Sequence, residues 1–234
     1  MSKTVSLARS IKPEYLDNIV NICLTTSEFE EIKAHINEYL SHHIESSINI
    51  RKTREILLNT WVNIPKELIE FRNNALEIYK SATNSERIAI HWAMLILAFP
   101  IFKDLCSIIG KLADVQETVT ITQIKRRIFE QWGERSTLFH CINKNVKTLK
   151  DFGVLSQTKP GVYTTPKIKI TDVRCTSLLV YSALKSNGKL YSNLSGLESF
   201  PELFPFLFDV KYEELQSVSI FKIDRIGGEI VVSV

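Results

Sequence analysis

His140, Asn143, Lys144 and Lys147 are spaced to project from one side of a helix with Ser136, and Lys150 stands at the margin of that side. Lysines in such a row present fixed positive charge, and the chemistry they suit is the neutralisation of phosphates. Duplex DNA carries about one negative charge per 1.7 Å of axis, and each phosphate neutralised releases a condensed counterion. Asn143 adds an amide of the kind that makes a bidentate contact to adenine. Lys159 sits just beyond, in the tight Lys159-Pro160-Gly161 step, where a turn would carry it toward a neighbouring backbone.

The charge is concentrated. Between Thr120 and Ile170 the basic residues are Lys125, Arg126, Arg127, Arg135, Lys144, Lys147, Lys150, Lys159, Lys167 and Lys169. Only Glu130, Glu134 and Asp151 oppose them, so this stretch carries +7 while the whole chain carries +3 and the remainder −4. Such a distribution is expected of a phosphate-contacting surface. A second group, Arg51, Lys52 and Arg54, lies early in another helical run and would extend that surface if it shared the same face. A solvated helix face is the plain alternative for both groups, and for the first a protein-docking face is another.

Other chemistry finds little footing. His42 and His43 are adjacent, and neighbours on a helix point about 100° apart, so they cannot ligate one metal as an i, i+4 pair does. Glu130 and Glu134 lack a partner set, and His91 lies in an apolar run that suits a core histidine. No GxSxG, Walker A, GxGxxG or HExxH pattern occurs. Cys23, Cys106, Cys141 and Cys175 show no metal-ligand spacing, and "MSKTVSLARSIKPEY" holds no apolar signal segment. Reduced thiols in a cytoplasmic, non-enzymatic protein without a cofactor are expected.

The elements that must position these residues divide into three. Residues 1–116 read as a helical bundle. Ser27 with Glu30 reads as a capping box before the stripe Phe29, Ile32, Ile36, Tyr39 and Leu40. "INIRKTREILLNTWVNI" follows, and Pro65 suits the first turn of a helix carrying Leu68, Ile69, Leu76 and Tyr79. Asn84 or Ser85 is placed to cap the apolar run "IAIHWAMLILAFPIF", which is too short to span a membrane and is broken at Pro100. A further helix runs from Pro100 to about Leu112.

Residues 117–170 read as a winged helix-turn-helix. Thr120 and Gln123 make a capping box, Ile121, Ile124, Ile128 and Trp132 line one side of the first helix, and Gly133 ends it. Ser136 or Thr137 opens the second helix, with Leu138, Ile142, Val146 and Leu149 on its apolar face. "VLSQT" and "GVYTT" then form a small hairpin. Residues 171–234 read as a small mixed α/β region: a helix in "DVRCTSLLVYSALKS", short turns and a helix in "FPELFPFLFDVKYEELQ", and a final β-hairpin turning at Gly227-Gly228. The fold class expected is mainly α.

In its order of elements the chain resembles the BrxA family of BREX bacteriophage-resistance systems. Three stretches carry the resemblance: "RKTREILLNTWVNIPKEL", "HWAMLILAFPIFKDL" and the two-helix unit ending "LKDFGVL", together covering roughly Asn49 to Tyr163. The resemblance implies a small, non-enzymatic, double-stranded DNA-binding accessory, partnered by other BREX proteins in a locus that methylates host DNA and blocks phage. It implies a helical bundle joined to a winged helix; members have sometimes been labelled inner-membrane proteins, which the interrupted segment at Ile88 to Phe102 does not support. A protein-interaction scaffold and a transcriptional regulator remain as alternative readings of the same residues.

Overall fold

The computed structural model describes residues 6–189, 191–197, 199–216, 220–226 and 229–233. An ordered segment at residues 6–12 leads into α1 (Pro13–Cys23), whose Pro13 stands in the first turn, where its missing N–H costs nothing. Then come α2 (Phe29–Ser41), α3 (Ser47–Trp61), α4 (Ile69–Tyr79), α5 (Asn84–Ala98) and α6 (Pro100–Ala113). The chain is mainly helical, and among the described residues its small sheets lie in the second half.

Several local expectations need correction. Ser27 does not cap α2: Glu28 holds the N-cap position without a side-chain bond, and Thr26 Oγ1 accepts from the Glu28 N–H instead. Neither Asn84 nor Ser85 caps α5. That role falls to Thr83, whose Oγ1 accepts from Glu86 N while the Glu86 carboxylate accepts from Thr83 N at 2.7 Å. Phe29 and Ile69, expected in the core, are 40% and 42% exposed, because each stands at the first turn of its helix and points past the packed layer. Pro65 precedes a 3-10 turn, Lys66–Leu68, that feeds α4.

α5 is buried nearly all round from Ala89 to Ile96 and forms the centre of the bundle. It stops at Phe99, which is extended, and α6 leaves at a bend of 117°. Proline at the start of α6 cannot donate back into α5, so the break is fixed by sequence. No single helix among the described residues is long and apolar enough to cross a membrane; α5 and α6 pass that test only as this bent pair.

Beyond α6 lie β1 (Val119–Thr120), α7 (Ile121–Trp132), α8 (Ser136–Asp151), β2 (Ser156–Lys159) and β3 (Val162–Thr164). The capping box at Thr120 and Gln123 forms as expected, and Gly133 ends α7 at φ +77°, a conformation that favours glycine. β3 pairs antiparallel with both β1 and β2, and the register of β2 shifts between Gln157 and Lys159. At the hairpin tip Gly161 lies against Ile121, and its carbonyl accepts from Ile121 N at 2.8 Å, which ties the tip to the start of α7.

The remaining elements are β4 (Ile168–Lys169), α9 (Val173–Ser186), β5 (Tyr191–Asn193), β6 (Phe206–Leu207), α10 (Tyr212–Gln216), β7 (Lys222–Ile226) and β8 (Glu229–Ser233). β4 and β6 run parallel, and β8 sits between β5 and β7. The final hairpin forms as β7 and β8; its Gly227-Gly228 turn lies outside the described residues. α9 packs on α4 and α5, with Tyr181 stacked on Phe71 at 4.7 Å, so a C-terminal helix completes the N-terminal bundle. One cluster of buried apolar side chains runs from Leu7 to Val232.

Candidate nucleic-acid interface

The two faces of α8 separate as their spacing predicts. Leu138, Ile142, Val146 and Leu149 are buried, and His140, Asn143, Lys144, Lys147 and Lys150 are exposed. α8 starts at Ser136; Arg135 occupies the N-cap position, half-buried and without a side-chain capping bond. The cations on the outer face meet few carboxylates. Lys147 pairs with Asp151 of its own helix at 3.3 Å, and Lys150 donates to Gln157 on β2 at 2.6 Å. An exposed pair of this kind contributes about 0–1 kcal/mol, too little to hold Lys147 back from a phosphate.

α7 supports α8 and adds charge. Trp132 donates from its indole N–H to Asp104 on α6 at 2.9 Å, which fixes the end of α7 against the bundle. Arg126 and Arg127 are exposed and share Glu130 at 3.8 and 3.7 Å. Lys125 lies over the Phe139 ring, 3.7 Å from its centroid, and partial burial lowers its pKa. That contact joins α7 to α8 through a cation on an aromatic face. Lys159 stands exposed at the hairpin tip, so Lys150 and Lys159 mark the two ends of β2.

The second basic group divides. Arg51 and Lys52 are exposed on α3, whereas Arg54 is half-buried, donating to Asn37 on α2 at 3.0 Å and pairing with Glu55 at 2.8 Å. Arg54 is thereby occupied in bundle packing, and Arg51 and Lys52 are the members presented to solvent.

Two features were not legible in the sequence. Residues 6–12 lie along α8: Asn145 donates to the Leu7 carbonyl at 3.0 Å, and Ile11 N donates to Thr148 Oγ1 at 2.8 Å. Asn145 and Thr148 are fully buried, in positions where a purely apolar face would have sufficed for packing. The other is a polar cluster inside the bundle. His91 Nε2 lies 3.0 Å from Asp17 Oδ1, the Tyr79 hydroxyl donates to the same oxygen, and Arg87 covers the Tyr79 ring. Burial holds the His91 pKa below the usual histidine range, against the opposing pull of Asp17. Burial would raise Asp17, but the hydrogen bonds from His91 and Tyr79 keep its carboxyl below the ordinary value. His91 is therefore a neutral core histidine with one hydrogen-bonded nitrogen, in keeping with its apolar setting in the sequence.

Among the described residues no group of three or more His, Cys, Asp or Glu side chains could hold a metal ion. The four cysteines are unpaired thiols; burial raises Cys141 and Cys175 to about 12 and Cys23 to about 11. No protein-family model, curated protein or solved structure matches the chain.

Proposed function

We propose that this protein binds double-stranded DNA through the outer face of α8, catalysing no reaction on it. The observation that carries the reading is the exposed, cation-bearing face of α8, whose ion pairing comes only from its own helix among the described residues. The surrounding order, α6, β1, α7, α8, β2, β3 with β3 paired to both other strands, is read as a winged helix-turn-helix. In that reading α8 enters the major groove, whose width of about 12 Å admits a helix. His140, Asn143, Lys144 and Lys147 then face base edges and phosphates, while Lys159 and Arg127 reach flanking backbone. Phosphate contacts dominate and supply position rather than sequence information.

The place of this activity is proposed to be a BREX-type phage-defence system in the cytoplasm, with other BREX proteins as partners. Support comes from the order of the three resembling stretches. They form, in turn, α3 with the turn after Pro65, the α5–α6 break at Pro100, and α7 with α8.

Gel shifts over a salt series test the reading. The logarithm of affinity should fall linearly with the logarithm of salt concentration, by about 0.9 per phosphate contact. Replacing Lys144, Lys147 and Lys159 together by Glu should abolish most binding at low salt. Salt-independent binding, or a triple variant that binds like the parent, overturns it. Association with other defence proteins that survives nuclease treatment, with no affinity for duplex DNA, would point to a scaffold instead.

A further inference from the structure

We infer that residues 6–12 form a second phosphate-contacting element, in which Arg9 and Lys12 carry the DNA surface from α8 across to Lys52 on α3. The inference rests on the DNA-binding reading above and adds to it residues that the pattern of charge along the chain does not single out.

The segment is held in place by α8 itself. Leu7 is 1% exposed and adopts φ +56°, a left-handed conformation that a non-glycine residue keeps only where the surroundings over-determine it. Those surroundings are specific. The Leu7 carbonyl accepts from Asn145 Nδ2 at 3.0 Å, and the Ser6 carbonyl lies 3.2 Å from Cys141 Sγ. Ile11 N donates to Thr148 Oγ1 at 2.8 Å, and Ile11 is fully buried. Two buried polar side chains of α8 thus satisfy backbone groups of a segment more than a hundred residues away in sequence. Removing either would strand a polar group in the interior.

The placement follows from helix geometry. Cys141, Asn145 and Thr148 form the stripe under the segment, and at about 100° per residue Lys144 lies roughly 40° from Thr148 around the helix. Lys144 therefore borders the segment directly, with Lys147 one step further onto the outer face. On its far side the segment meets α3, because Arg9 Nε donates to Asn49 Oδ1 at 3.1 Å. Asn49 lies in the first turn of α3, and Lys52, three residues on, shares its side of the helix. A path of positive charge accordingly runs from Lys147 and Lys144, over Arg9 and Lys12, to Lys52.

The two cations in the middle are available. Lys12 is exposed, its ammonium 5.8 Å from the centroid of the Tyr15 ring, and among the described residues the half-buried Arg9 otherwise donates only to the neighbouring Ala8 carbonyl at 2.8 Å. Among the described residues neither pairs with a carboxylate, and Glu14, in the first turn of α1, forms no ion pair with them. A basic segment beside a helix in the major groove fits the phosphate backbone that walls that groove.

The test is fluorescence anisotropy on a duplex of about two helical turns, at roughly 50 to 200 mM salt. Three double variants are compared with the parent: Lys144→Ala with Lys147→Ala, Arg9→Gln with Lys12→Gln, and the charge-keeping Arg9→Lys with Lys12→Arg. The Gln pair should lower the salt slope by about 1.8, two contacts at about 0.9 each, and the charge-keeping pair should leave it unchanged. The charge-keeping pair loses the Arg9–Asn49 geometry, so a merely structural role would weaken binding in it as well. A parent protein without affinity for the duplex defeats the DNA-binding reading as a whole. A parent that binds, an α8 variant that loses slope, and a Gln pair that keeps it would overturn this inference alone.

Discussion

His91 and Asp17 make a sharp prediction about stability and pH. His91 is fully buried, its Nε2 meets the Asp17 carboxylate, and Trp61, Tyr79 and Arg87 surround the pair. Burial places its folded pKa below the unfolded value of about 6.5, so the native state resists the proton that the unfolded state accepts. The stabilisation is fully present above about pH 6.5 and is lost as pH falls from there toward the folded pKa. One proton of difference corresponds to about 1.4 kcal/mol per pH unit at most. His91→Gln keeps a donor for Asp17 but cannot titrate. Urea unfolding of both proteins between pH 8 and pH 5 isolates this residue, because the remaining histidines and Asp17 occur in both. The parent should lose stability relative to the variant by up to about 1.4 kcal/mol per unit below pH 6.5, with a constant difference above it. Parallel curves across the range, or a parent that gains on acidification, would refute the assignment of a neutral buried ring. Asp17 has the depressed carboxylate pattern, so its own contribution disappears only in more acidic solution, as pH falls through its folded pKa.

Two further predictions concern packing and capping. A Cβ on Gly110 would stand 2.0 Å from the Pro201 carbonyl oxygen, so Gly110→Ala must push α6 away from the turn at Pro201–Leu203. That displacement also strains the bond from Trp92 Nε1 to the Glu202 carbonyl, and a loss of about 3 kcal/mol in urea unfolding is expected. A loss below about 0.5 kcal/mol would show that the two elements do not meet so closely. Thr83→Ala should cost about 1 kcal/mol while Ser85→Ala stays near neutral, since Thr83 alone holds the cap of α5. Equal costs at the two positions would return the cap to the residue that its serine suggests.

The parts of the fold that depend on short-range pattern were legible in the sequence. Leu138, Ile142, Val146 and Leu149 announce the buried side of α8 because four side chains at spacings of four and three cannot all avoid one face. Thr120 with Gln123 marks the start of α7 by the same local logic. Capping failed where polar residues crowd. Thr26, Ser27 and Glu28 offer overlapping starts for α2, and Thr83, Asn84 and Ser85 do so for α5, where the distance to Glu86 was the deciding signal. Asp17, Arg9 and residues 6–12 stayed hidden for another reason. Their partners are His91, Asn49 and Thr148, and no periodicity within a window of a few turns relates residues so far apart. Asn145 and Thr148 interrupted an otherwise apolar side of α8, and that interruption was the only local sign that something polar must be met there.

The elbow at Phe99 has a consequence for anyone dividing the molecule. α6 leaves the centre of the bundle through that elbow and holds α7 through Asp104 and Trp132, while residues 6–12 close the opposite flank of α8. A fragment cut at residues 117 and 170 would expose the seam once covered by the amino-terminal segment and discard the helix that its indole grips. Excised in that way it should collapse or aggregate, whereas a graft that keeps both ends of the seam carries its own foundation.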